Sequence, residues 1–212
     1  MKKENNKYFS RLLKNLASLQ DFELKDEGEY EYLEINGRDF SNQSFDSLEF
    51  KDCLIRNCNL SQLKVKKLSL VNVRFKNCDL ANLETEELYA KKTDFEKCRM
   101  TGFIATEGAL SGIMFDNCQL NFSQFRFAVL KEIKFYNCLL SESDFYSAKF
   151  FNVNFSDCYL TKAEMSKTKH FKSDFRTSDI SGLAIDIESL KGITIDRSQV
   201  IDLAWLLGVD IV

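Results

Sequence analysis

FKNCDL (75–80), FEKCRM (95–100), FDNCQL (115–120), FYNCLL (135–140) and FSDCYL (155–160) are copies of one hexapeptide set twenty residues apart. In each copy the Phe and the final Leu or Met are five residues apart, and a cysteine lies two before the latter. Stepping by five in both directions, every fifth residue from Phe40 to Val200 is apolar except Thr85 and His170. Neither an α-helix nor a flat strand has a period of five. The register never slips, so no loop interrupts it. All seven cysteines, Cys53 included, lie two residues before a central position, shared there with small or aliphatic residues such as Leu63, Val73, Ala128 and Ser143. Each pentad thus has two inward residues, one large and one small, and three mostly polar outward ones.

The twenty-residue period makes four pentads one turn and stacks equivalent side chains. One core ladder is Phe75, Phe95, Phe115, Phe135, Phe155 and Phe175; another is Cys58, Cys78, Cys98, Cys118, Cys138 and Cys158. The expected fold is an all-β solenoid, four-sided, with backbones about 4.8 Å apart. Residues 38–202 make about eight turns, a rod roughly 40 Å long. The absence of proline, only 8 glycines and 19 phenylalanines agree with a regular coil that turns corners without the usual turn residues.

The ends read differently, dividing the chain into 1–30, 31–195 and 196–212. Tyr8, Phe9, Leu12, Leu13, Leu16 and Leu19 follow helical spacing. An N-terminal amphipathic helix capping the coil is expected, with partner binding as the alternative. Seven acids against Lys25 in residues 21–34 suggest a solvated linker. At the other end Asp196 and Gln199 form a capping-box pattern and Gly208 suits a helix C-terminus. Val200, Leu203, Trp205, Leu206 and Leu207 exceed what a cap needs, so this C-terminal capping helix is expected to meet a second copy in a homodimer.

Net charge is −3, and no apolar run is long enough to span a membrane. A cytoplasmic protein that does not bind nucleic acid directly is expected, with no membrane partner. Inward cysteines stacked one per turn cannot converge on a metal, and His170 replaces an aliphatic core residue with no nucleophile arranged around it. No phosphate loop or hydrolase motif is present. The expectation is therefore no enzyme, cofactor or metal. Sorted by face, outward charge is segregated. Asp79, Glu84, Glu86, Glu87, Glu107, Glu142, Asp144 and Glu164 lie on an acidic half, whereas Lys91, Lys131, Lys149, Lys169, Lys172 and Lys191 dominate another side. The acidic half suits a basic groove, although its net charge is several-fold below that of duplex DNA of equal length.

The repeat, with cores such as NCDLANL (77–83), resembles the pentapeptide repeat family, which implies a right-handed quadrilateral β-helix. LKGITIDRSQVIDLAWLLGVDIV (190–212) and SQFRFA (123–128) are similar to segments of its quinolone-resistance (Qnr) group, Gram-positive chromosomal type. That resemblance implies a homodimer joined at its C-terminus. It also implies a non-enzymatic DNA mimic that binds DNA gyrase or topoisomerase IV and protects them from quinolones. Two features depart from the group. The register holds none of the loops that project from Gram-negative members, and the N-terminal helix exceeds the usual pattern. A structural or adaptor solenoid with an unrelated protein partner stands as the alternative, as does a self-immunity factor against a topoisomerase poison.

Overall fold

The computed structural model describes residues 16–18 and 22–208. This range winds as a parallel-strand solenoid of about eight turns, nearly all-β, with a single short helix at its C-terminal end. Each turn pairs with the next at a fixed offset: Ile55 with Phe75, Phe75 with Phe95, Leu110 with Leu130, Phe135 with Phe155. The four faces are named here by the central residues of one turn, Leu120, Phe125, Leu130 and Phe135. The last two faces are continuous parallel sheets, for example Ala109–Ser111 on Val129–Lys131 and Met114–Asp116 on Lys134–Tyr136. The Leu120 face and the upper turns of the Phe125 face are held by single bridges such as Gln119 to Leu139 and Gln124 to Asp144, whereas lower on the Phe125 face Phe45, Val65 and Thr85 pair within longer strands.

The inward residues form one continuous core. Central residues from Ile35 to Ile185 are buried, with Phe45 half-buried. The phenylalanine ladder stacks ring on ring, with centroids 5.0, 5.0, 4.8, 4.8 and 4.7 Å apart from Phe75 to Phe175. Phe125 meets Phe115 and Phe135 edge-on at 6.5 Å. A stacked column of this kind adds about 0.5–1.5 kcal/mol per ring pair beyond area burial.

The corners explain the glycine count. Among the described residues, 24 non-glycine residues have positive φ, between 51° and 68°, and every one lies two positions after a central residue. Asparagine fills many of these sites (Asn57, Asn77, Asn117, Asn137) because its side chain tolerates the left-handed region. The carboxylate or amide one residue before the centre closes the same corner: Asp79 Oδ1 accepts from Ala81 N at 3.0 Å, and Asp144 Oδ1 from Tyr146 N at 2.9 Å. At Ser47, Lys67 and Glu87 the left-handed residue is missing, and single strands (Ser44–Lys51, Lys64–Val71, Glu84–Lys91) run through the corner.

Two expectations change, and a third falls mostly outside the described residues. The acidic stretch is no solvated linker: Phe22 and Leu24 are buried, and Gly28–Glu31 and Leu33–Asn36 are strands of the first turn. Its acids occupy outward positions, so charge there is compatible with the coil. The lattice stops before Val200, which lies exposed in the C-terminal helix, while Leu190 and Ile195 are only half-buried. Of the N-terminal helical pattern, Tyr8, Phe9, Leu12, Leu13 and Leu19 lie outside the described residues. Ala17–Ser18 is a short strand beneath Leu33 and Glu34. Among the described residues no helix is long and apolar enough to cross a membrane.

Candidate partner surfaces

The inward cysteines and His170 are occupied by the fold. Cys118 Sγ faces Phe95 O on the turn below at 3.3 Å and Asp116 O at 3.6 Å; Cys138 repeats this with Phe115 O and Tyr136 O, both at 3.4 Å. The thiol therefore serves as both small apolar filler and weak donor. Burial pushes the Cys53 thiol up, away from the reactive thiolate. His170 takes hydrogen bonds with Thr168 Oγ1 at 2.8 Å and Ser173 Oγ at 2.9 Å, and stacks on Phe150 at 4.6 Å. Burial lowers its pKa to about 4, so the ring is neutral at physiological pH. Gly192 packs so tightly that a Cβ there would lie 2.0 Å from His170 O. Among the described residues no group of three or more His, Cys, Asp or Glu could hold a metal ion.

The acids expected at a partner surface fall into two clusters. Glu84, Glu86, Glu87 and Glu107 form a lower one; Glu142, Asp144 and Glu164 form an upper one, with Asp144 paired to Glu164 along the coil. Several are already engaged. Asp79 pairs with Arg99, Asp144 with Arg126 at 2.6 Å, Glu84 with Lys64 at 3.3 Å and Glu87 with Lys67 at 3.8 Å. Asp79 and Asp144 also brace their own corners, so they belong to the scaffold as much as to the surface. The charge offered outward is accordingly lower than the sequence tally suggested.

Between the clusters runs the turn that holds SQFRFA. Phe122 and Phe127 sit at left-handed corners, φ 60° and 59°, with about half of each residue exposed. A bulky aromatic in that conformation is an outlier where asparagine is the rule. Arg126 lies over the Tyr146 ring at 4.6 Å, Lys167 lies over it at 5.2 Å, and Phe127 meets Tyr146 edge-on at 5.8 Å. Aromatic and arginine groups of this kind dominate protein–protein contacts. The pentad phase puts Phe122 and Phe127 outward and sets Arg126 one turn from Tyr146, but spacing does not say which rotamers bring the guanidinium over the ring. On the lysine-rich Leu130 face, Phe151 and Phe171 stack at 4.7 Å with planes within 1°.

At the C-terminus Asp196 forms the expected capping box, with Ser198 N donating to Asp196 and Asp196 N to Gln199 Oε1 at 2.7 Å. Gln199 also locks the cap to the last turn, its Nε2 donating to Phe175 O at 2.8 Å and Ser178 O at 2.6 Å. The helical segment is short: Arg197–Gln199, Val200–Leu203 (α1) and Ala204–Leu207, ended by Gly208 at φ 66°. Of the five expected interface residues, Val200, Trp205 and Leu207 are exposed. Leu203 points into the core and Leu206 is half-buried against it. Ile201, 67% exposed, joins the outer group instead.

A family model for a pentapeptide repeat region matches residues 68–140, and a second, for eight copies of the pentapeptide repeat, matches residues 138–169. The chain is a pentapeptide repeat protein. No curated protein matches this pentapeptide repeat chain. Among solved structures it is similar to a trypsin-treated variant of QnrB1, a plasmid-mediated fluoroquinolone resistance protein. Identity there is 20% over 93% of this chain and 99% of that one, with a TM-score of 0.37. It is also similar to HetL, a pentapeptide repeat protein involved in heterocyst differentiation regulation from the cyanobacterium Nostoc. That match has 11% identity, covers 80% of this chain and 90% of that one, and has a TM-score of 0.41.

Proposed function

We propose that this pentapeptide repeat protein is a non-enzymatic, dimeric rod that binds a type II topoisomerase, DNA gyrase or topoisomerase IV, and relieves quinolone action. The observation that carries the reading is the Phe125 face and its lower corner. Acid clusters at Glu84–Glu107 and Glu142–Glu164 flank a strained aromatic turn, Phe122 to Phe127. Carboxylates one turn apart on a stiff rod suit a protein groove built for nucleic acid, and Phe122 and Phe127 supply the apolar anchors that charge alone lacks. The exposed Val200, Ile201, Trp205 and Leu207 at one end suit a two-fold contact that doubles the rod. The resemblance of residues 190–212 and 123–128 to the quinolone-resistance group supports the same partner.

A second reading, an adaptor solenoid for an unrelated protein, is favoured by the ion pairs that already neutralise Asp79, Glu84, Glu87 and Asp144. Gyrase supercoiling in the presence of ciprofloxacin separates the two. Rescue by the purified protein, lost in a Phe122→Ala/Phe127→Ala variant, is expected; neither rescue nor inhibition at micromolar protein would leave only the adaptor.

A further inference from the structure

The Leu130 face is one parallel sheet from Gly28–Glu31 up to Lys169–Asp174, and its outward charge is sorted along the rod axis. The lower end carries Glu29, Glu31, Glu49 and Asp52 against Lys51. The upper end carries Lys131, Lys149, Lys169, Lys172 and Lys191 against Glu132. Among the described residues no carboxylate lies within ion-pairing distance of those upper lysines, whereas lysines and arginines elsewhere on the rod are paired. Lys149 is in register with Lys169, and the exposed Phe171 with Phe151. Like charges directly opposite on a sheet are destabilising, so the upper end carries a cost that an anionic surface would offset. Between the two ends the turn of Leu110 presents only Ala109, Ser111 and Gly112.

A second copy supplies that surface. Two such faces laid antiparallel about a two-fold axis through the Leu110 turn set each residue above the axis against the one equally far below it. Lys169 then meets Glu49, Lys172 meets Asp52, Lys191 meets Glu31, and Glu132 meets Lys92. Val129, 38% exposed, meets Tyr89, 47% exposed, and Phe151 meets Val71. One like pair, Lys131 with Lys91, stands against those four opposite ones. The small residues of the Leu110 turn lie on the axis and let the two sheets approach. This register is selective. Sliding one copy by a turn leaves two opposite pairs in one direction, with Phe151 on Lys51, and none in the other. Parallel copies would lay the lysine-rich end on itself. The turns from Tyr30 to Leu190 span about 38 Å, and a strip about 15 Å wide buries roughly 600 Å² per copy, the size of a weak, reversible contact.

We infer that two copies pair side by side and antiparallel through the Leu130 face, with Lys169–Glu49 and Lys172–Asp52 as the ion pairs that fix the register. This contact is separate from the end contact at Val200, Ile201, Trp205 and Leu207, and it does not depend on what binds the Phe125 face. Salt weakens it, because the screening length falls from about 30 Å at 0.01 M to about 8 Å at 0.15 M.

Carbodiimide cross-linking of mixed isotope-labelled and unlabelled full-length chains at about 0.01 M salt, followed by peptide mapping, tests it. Mixed-isotope amide links from Lys169 to Glu49 and from Lys172 to Asp52 are expected. Within one chain these partners lie six turns apart, about 29 Å, too far for a zero-length link. The link from Lys51 to Glu31, 2.7 Å apart in one chain, is the internal control. Mixed links should fall roughly tenfold at about 0.15 M salt. The exposed variant Lys169→Glu should lose them with thermal unfolding unchanged, and Lys169→Glu/Glu49→Lys should restore a link between positions 49 and 169. In Ile201→Glu/Trp205→Glu, which lacks the end contact, sedimentation of concentrated protein should report a dimer at about 0.01 M salt and a monomer at about 0.15 M. Four results would overturn the inference: mixed links dominated by another register, such as Lys149 to Glu49; no mixed links while the control forms; a double swap that restores nothing; or a monomer at both salt concentrations.

Discussion

Phe115 sits between Phe95 and Phe135 with no exposed surface, and its edge neighbour Phe125 leaves no room for collapse. Phe115→Ala should therefore cost about 3–5 kcal/mol in chemical denaturation; a midpoint matching the wild type would refute the stack. The cysteine ladder gives a subtler expectation. From sequence, a hydroxyl at Cys118 appears costly in an apolar column. The structure supplies carbonyl acceptors at every step, and Ser178 already fills the next place in the column, donating to Phe155 O at 3.0 Å. Cys118→Ser is thus expected to cost no more than about 1 kcal/mol. Ser123 is the contrast: it occupies an equivalent inward position on the Phe125 face, yet its buried hydroxyl has no partner. Ser123→Ala should be neutral or stabilise by up to about 1 kcal/mol in the same titration. Residue spacing fixed which side chains point inward, but hydrogen bonds between turns could not be read from it. They depend on carbonyl positions twenty-three residues away, as for Cys118 and Phe95.

At the scale of elements, the pentad faces were legible and the ends were not. The faces repeat, so each copy checks the others. The first turn carries Glu29, Glu31 and Glu34 outward and looks like a charged linker until Gly28–Glu31 is seen paired with Ser44–Lys51. The C-terminal cap has the opposite history. Its capping box and terminal glycine were plain, but the split between Leu203 inside and Ile201 outside depends on how Gln199 clamps the helix to Phe175 O and Ser178 O. Deleting residues 199–212 would remove that clamp and uncover the last turn, confusing association with unfolding. Ile201→Glu/Trp205→Glu leaves it in place. Sedimentation velocity should then report a monomer with wild-type thermal stability; a variant that stays dimeric would move the contact elsewhere on the rod.

For the whole molecule, two buried ionisable groups nearly four turns apart oppose each other. Burial pushes Asp94 up to about 6 against an ordinary 3.8, with Arg74 pulling the other way. The folded state therefore holds that proton more tightly, and stability present at low pH is lost as pH rises from about 4 to 6. His170, down at about 4 from 6.5, does the reverse: its contribution is complete above 6.5 and is lost as pH falls towards 4. Each linkage is worth roughly 3 kcal/mol, so in one cooperative unit they nearly cancel. Stability measured by urea titration should change little between about pH 4 and 6 in the wild type. In Asp94→Asn it should rise with pH across that window by roughly 2 kcal/mol, the part of the His170 linkage that falls within it. A flat profile in the variant would mean that the two ends unfold separately, as a repeat array can.

The corner column has a genetic consequence. Left-handed residues recur at one phase of the pentad, and pairing recurs at one offset of twenty. A single inserted codon would swing every later inward residue to the outside and turn corner asparagines such as Asn137, and the residues just before each centre, into the core. Even a five-codon insertion would set phenylalanines over leucines and cysteines over serine or alanine on a neighbouring face. Only duplication or loss of twenty codons preserves both columns, so genes for such rods grow and shrink in whole rungs, and the reach of the surface they display changes in steps of about 4.8 Å.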